Sequence, residues 1–362
     1  MKRIHIILLS VALLFPACSS TEDIPAIEDN GNTPGTEVPG TEDPDPDPET
    51  PDPEIPVVTE PGSILLRGKG LESRVVTRAV SDFPNEGKIG VVAAEYTPGT
   101  TDWTSYPDID NATATVATQD NNGTFFFSWP AGDIKYYPFD GSQLVFLAYS
   151  PPANNSTVVL DADRQGLELT LADNMPDVLY ATDNVQVPHS KADSVVDVGE
   201  FRHALSKVTI QFVANGDMNP DIRLQQLSLN TGYKSAHLDL LAGDNGLSLH
   251  APDSFSYTLI TGETDFRNPS FSEDLYVYPG TEDETTLTVS LSDGYFEFDS
   301  VYAISSFQNL TTSGPIVFER GVHTILTFTV VGTTVQQPDN LIILQGQLTD
   351  WDDNGNYLIG IK

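Results

Sequence analysis

The stretch KVTIQFVA, residues 207–214, alternates apolar and polar side chains. Val208, Ile210 and Phe212 fall on one face and Lys207, Thr209 and Gln211 on the other, the pattern of a β-strand with one side in a core. QLVFLAY (143–149), TLTVSL (286–291) and HTILTFTV (323–330) read the same way, and Gly, Pro, Asn and Asp turns separate such segments from Ser63 to the end. Helical periodicity is hard to find. The chain is therefore all-β, and about 300 residues of short strands exceed what one sandwich core holds. Two tandem β-sandwich domains follow. The polar, turn-prone stretch SKADSVVDVGE (190–200) places their junction at residues 198/199, giving an N-terminal sandwich over 63–198 and a C-terminal one over 199–362.

The amino-terminal end has a different character. MKRIHIILLSVALLFPA carries two cations, an apolar run too short to span a bilayer, and small residues before Cys18, the single cysteine of the 362-residue chain. This is a secretory signal over residues 1–18. Phe15-Pro16-Ala17-Cys18 resembles a bacterial lipobox, so Cys18 is expected to carry the lipid, palmitate included, as the first residue of the mature protein. A thiol consumed this way leaves none for disulfides, and core packing alone must stabilise an exported chain. No later segment is apolar enough to cross a membrane, so lipid is the expected tether.

Residues 19–62 form an expected disordered linker. TEDPDPDPETPDPEIP (41–56) alternates proline with acid and has almost nothing to bury. The linker would reach roughly 35–40 Å as a coil and about 135 Å fully extended. It holds thirteen acids and no Lys or Arg, and the rest of the chain stays strongly acidic, within a formal net charge of −35. Nucleic acid is excluded as a partner, because binding it needs a basic face that this composition does not supply.

Motifs for chemistry are scarce. His5, His189, His203, His237, His250 and His323 show neither HExxH nor a pair at helical spacing, and no GxSxG elbow, P-loop or dinucleotide fingerprint occurs. No short stretch singles out two carboxylates for hydrolysis. The reading is no enzyme, no cofactor and no metal. In DWDDNGN (350–356), Asp350, Asp352, Asn354 and Gly355 match positions of an EF-hand loop, but Ile361 stands where a bidentate Glu is required. An Asn-Gly turn joining the strand in IILQGQLTDW to NYLIGIK is the better reading. FFFSW (125–129) and KYYPF (135–139) read as core before carbohydrate platform.

Several stretches together resemble the fimbrillin family, lipoprotein precursors of type V pili in anaerobic Gram-negative bacteria. They are WPAGDIKYYPFDGSQLVFLAYSPP (129–152) with its Ala148-Tyr149 pair, DVLYA (177–181) followed by FRHALSKVTIQF (201–212), VVTRAVSDFPNEGKIGV (75–91), and Thr349 to Trp351 near the end. The resemblance implies transthyretin-like sandwiches and a structural, adhesive subunit of a type V fimbrium at the outer membrane. Glu22 and Asp23, just after Cys18, are similar to a surface-display signal. It further implies that a trypsin-like maturation protease cuts after Arg74 or Arg78, releasing the first strand in SILLRGKGLES (63–73). The emptied groove then takes a strand from another fimbrial subunit. The implied donor is NYLIGIK (356–362), with Tyr357, Ile359 and Ile361 on one face and Leu358 on the other. Only eleven residues follow Trp351, short for a strand that crosses to a neighbour, so the segment could instead complete its own sheet. The alternative is a monomeric surface lipoprotein that binds glycan or host ligand.

Overall fold

The computed structural model describes residues 63–69, 83–98, 103–120, 122–153, 156–183, 186–193, 195–214, 218–267, 271–307, 315–330 and 342–350, with backbone only at Phe271 and 342–350. The expected signal, the acidic linker and the DWDDNGN turn after Asp350 lie outside them. All the described residues belong to one compact unit, Pro51–Lys362. Among them are nineteen strands and no helix longer than a three-residue 3-10 turn.

The first nine strands are β1 (Leu66–Lys69), β2 (Lys88–Glu95), β3 (Ala112–Gln119), β4 (Thr124–Ser128), β5 (Leu144–Ser150), β6 (Val158–Leu160), β7 (Gly166–Thr170), β8 (Leu179–Ala181) and β9 (Val196–His203). Seven of them pair in a closed ring, β1-β4-β3-β2-β5-β8-β9. Closure leaves this sheet without an exposed edge. The ring's strands alternate between two cores. In β5, Leu144, Phe146 and Ala148 face a core that also holds Leu66, Phe127 and Phe201. Leu147 and Tyr149 on the other face join a second core with Val208, Ile210 and Phe212. Both faces of β5 are buried, which explains its unbroken apolar run.

The remaining strands are β10 (Ser206–Ala214), β11 (Arg223–Thr231), β12 (Ser235–Asp239), β13 (Leu247–Leu249), β14 (Phe255–Thr264), β15 (Phe271–Val277), β16 (Thr286–Ser292), β17 (Glu297–Ala303), β18 (Val322–Val330) and β19 (Ile342–Asp350). Eight of them build two four-stranded sheets, β15-β10-β18-β19 and β14-β11-β16-β17. KVTIQFVA is β10, in the middle of the first of these, with Val208, Ile210 and Phe212 fully buried. Phe212 stacks on Phe328 of the parallel neighbour β18, with ring centroids 4.9 Å apart. Tyr302 of β17 approaches the same Phe328 from the facing sheet at 6.2 Å. The Tyr257 hydroxyl of β14 donates to the Tyr276 carbonyl of β15 at 2.6 Å, tying the two sheets at one side.

Two features depart from independent sandwiches in series. A fourth sheet, β13-β12-β7-β6, takes two strands from each half, with Ala236 opposite Leu169. The Tyr278 hydroxyl strengthens this join by donating to the carbonyls of Leu169 at 3.0 Å and Lys234 at 3.2 Å. In addition, the junction expected at 198/199 falls inside β9, which pairs with β8 as far as His203. The polar residues Asp197 and Glu200 that suggested a linker are partly exposed positions of that strand, between buried Val196, Val198 and Phe201.

Candidate functional site: the first strand and its groove

SILLRGK, residues 63–69, supplies β1 and its approach. Ile64 and Leu66 are buried, Arg67 and Lys69 are exposed, and Leu65 is also largely covered. Each fully buried Ile or Leu contributes about 1.5–3 kcal/mol to holding the segment in place. β1 has neighbours on both edges. It runs antiparallel to β4, with Leu66 opposite Phe127, and parallel to β9, with Leu66 opposite Val196. Val196 N–H donates to the Leu65 carbonyl at 2.7 Å.

A second clamp holds the entry to the strand. Ile64 N–H donates to the Lys135 carbonyl at 2.8 Å, and the Trp129 indole N–H donates to the Ile64 carbonyl at 2.7 Å. Outside, Arg67 donates to Asp197 at 3.0–3.1 Å, and Lys69 stands opposite Glu200. Arg67 thus meets an acid of β9. Such exposed pairs contribute only about 0–1 kcal/mol, so burial and backbone pairing hold β1.

Under the strand lies a cluster of aromatic rings. Phe83 packs edge-on against Phe125, Phe127 and Phe201 at 5.0, 5.6 and 5.3 Å, and Phe127 lies 5.8 Å from Phe201. Gly68 sits directly on this floor. A β-carbon there would come 2.8 Å from the Phe201 ring, 3.1 Å from the Gly199 carbonyl oxygen and 3.1 Å from Val198 Cγ2. Only glycine fits without movement of its neighbours. Beside the cluster, burial pushes the Tyr137 hydroxyl's pKa above its ordinary value, and the charge of Asp193 adds to the effect. Burial also lowers the pKa of His189, whose ring lies 5.9 Å from Phe146, against an opposing pull from Asp193 and Asp197.

The candidate cut sites Arg74 and Arg78 lie outside the described residues, in the stretch 70–82 between β1 and Phe83. The lipidation candidate Cys18 and the donor candidates Tyr357, Leu358, Ile359 and Ile361 also lie outside. The sequence reading located the strand and missed its floor: Phe83, Trp129, Val198 and Phe201 came into no site assignment. The one local signal was Gly68, a glycine inside a strand, which marks a close approach of other atoms. Among the described residues, no group of three or more His, Cys, Asp or Glu is placed to hold a metal ion. FFFSW is largely buried, as the core reading expected, but KYYPF divides: Tyr137 is buried and Phe139 is fully exposed.

No match was found among curated protein sequences. Two crystal structures share the fold. One is a candidate cell-adhesion protein of Bacteroides uniformis, 18% identical with a TM-score of 0.54, the match covering 80% of this chain and 98% of that one. The other is a fimbrial protein of Bacteroides vulgatus, 12% identical with a TM-score of 0.51, covering 80% and 99%. The family model for fimbrillin-like proteins matches residues 77–351, most of the folded chain, and the protein belongs to that family.

Proposed function

We propose that the chain is a structural, adhesive subunit of a cell-surface fimbrium, exported as a lipoprotein through Cys18 and assembled by strand exchange after proteolysis. Family membership and neighbours named for fimbriae and cell adhesion support the subunit role and speak for a structural protein over an enzyme. The observation that carries the assembly reading is the placement of β1. It closes the ring between β4 and β9, yet only residues 70–82, with Arg74 and Arg78 among them, join it to the rest of the barrel.

A cut after either arginine would separate β1 from Phe83 and leave the rest of the barrel connected. Loss of the released strand would then bare two rows of backbone donors and acceptors and the aromatic floor together. A strand from another subunit satisfies both at once, which is how β-augmentation joins chains. Limited trypsin digestion of the full chain, followed by native size analysis, tests this. A cut after Arg74 or Arg78 with a ladder of higher masses is the expected result. A stable monomer after the cut would favour the second reading, a monomeric surface lipoprotein that binds glycan or host ligand. The exposed rings of Phe139 and Tyr295 give that reading its support.

A further inference from the structure

The ring relies on β1 to keep β4 and β9 apart. β4 runs antiparallel to β1 and β9 runs parallel to it, so without β1 the two walls face each other antiparallel, each with a row of unpaired backbone groups. A shift by one strand spacing, about 4.8 Å, would let them pair directly and close the ring at six strands. The vacated groove would then be lost. Whatever prevents this closure decides whether a nicked chain can take up another strand.

Phe83 is placed to prevent it. Its buried ring packs on Phe125 and Phe127 of β4 at 5.0 and 5.6 Å and on Phe201 of β9 at 5.3 Å, so it touches both walls of the groove. It follows Arg74 and Arg78 in the chain, and a cut after either leaves it with the barrel. Resting on the strand-exchange reading above, we infer that Phe83 is a wedge that holds β4 and β9 apart, so that the groove stays open while it is empty.

A wedge needs a mount, and Asn85, Glu86 and Gly87 supply one. Their φ angles are +55°, +60° and +70°, three left-handed residues in a row, a conformation that side chains with a β-carbon hold only where the surroundings impose it. The Asn85 side-chain amide donates to Ser150 Oγ at 3.0 Å and to the Asp177 carbonyl at 2.7 Å, and the Ser150 hydroxyl donates to the Lys88 carbonyl at 2.7 Å. Ser150 ends β5 and Asp177 leads into β8, while the Asp177 carboxylate lies 2.8 Å from Nδ1 of His203, the last residue of β9. Each of these anchors lies outside β1, so the mount outlasts its release. A groove kept open in this way is preorganised, and an incoming strand spends no free energy on parting the walls.

The test uses the full chain nicked by trypsin between residues 70 and 82, freed of its amino-terminal fragment in mild denaturant and returned to buffer. The probe is a fluorescent peptide of residues 63–69, the native occupant, with association and dissociation rates measured separately. Asn85→Gly keeps the left-handed backbone but removes both side-chain donations, and Phe83→Leu trims the wedge itself. Both variants are expected to slow association about tenfold or more, because the peptide must wait for a rarely open groove, and Asn85→Gly to leave dissociation within about twofold, because the Asn85 hydrogen bonds reach no residue of β1. Faster dissociation of the Asn85→Gly complex at unchanged association, or no change in either rate, overturns the inference and leaves strand exchange standing. Where neither variant folds, amide exchange in the unaltered nicked chain decides. Val196 N–H, whose acceptor is the Leu65 carbonyl, should exchange freely in the empty groove, and its continued protection would mean that β9 has closed onto β4 and overturns the inference. Failure of the unaltered chain to take back 63–69 at all overturns the strand-exchange reading as well.

Discussion

Gly68 and Phe201 are in such close contact that a single added carbon at residue 68 would lie 2.8 Å from the ring. Gly68→Ala must therefore push against a fully buried phenylalanine and the Gly199 backbone. The expected loss is about 1–3 kcal/mol in chemical denaturation. Faster trypsin cleavage in 70–82 should accompany it, because a loosened β1 leaves its connection more open. Combining Gly68→Ala with Phe201→Leu should recover part of the loss relative to Phe201→Leu alone. Additive losses in the double variant would show that the contact is not the cause.

Trp129→Phe keeps a large apolar ring but deletes the indole N–H that donates to the Ile64 carbonyl. Stability should fall by about 0.5–1.5 kcal/mol. The effect should centre on residues 63–69, seen as faster amide exchange at Ile64 and Leu66. Uniform acceleration across the barrel would count against a local clamp.

Tyr278 joins the halves through two carbonyls, one on β7 and one beside β12. Tyr278→Phe should cost about 0.5–1.5 kcal/mol, since the shared hydroxyl hydrogen bond is lost without any loss of ring packing while the Lys234 carbonyl keeps the Leu171 N–H. The variant should also broaden the thermal transition as the two halves begin to melt separately. A sharp single transition at an unchanged midpoint would contradict this role.

Burial holds the pKa of His189 below its ordinary value of 6.5. The folded state therefore binds protons less readily there than the unfolded chain does. Its contribution is fully present above about pH 6.5 and is lost as pH falls below that value toward the depressed folded pKa. Denaturation midpoints measured between about pH 7 and pH 5.5 should drop more steeply for the native chain than for His189→Gln. Parallel slopes would remove His189 as a source of the pH dependence.

Much of the fold can be read from local pattern. KVTIQFVA, TLTVSL, HTILTFTV and QLVFLAY appear as β10, β16, β18 and β5, because the face a strand buries is written in a period of two within the strand itself. The segment SILLRGK was placed as the first strand by the family resemblance rather than by its own pattern. Its floor was not. Phe83, Val198 and Phe201 come from positions up to about 140 residues away, and nothing local to any of them says that their rings and methyl groups meet over Gly68.

The sequence by itself determined the all-β class, the turns between strands, the acidic and proline-rich character of residues 19–62 and the position of the lone cysteine, all of which depend on neighbours along the chain. Tertiary structure alone decided that β1 lies parallel to β9, that β7 and β12 weld the two halves into one sheet, and that both faces of β5 are buried. Strand pairing joins backbones through the same N–H and C=O groups whatever the side chains. Partner and register are therefore selected by how all the apolar faces pack together at once, a property no single stretch carries.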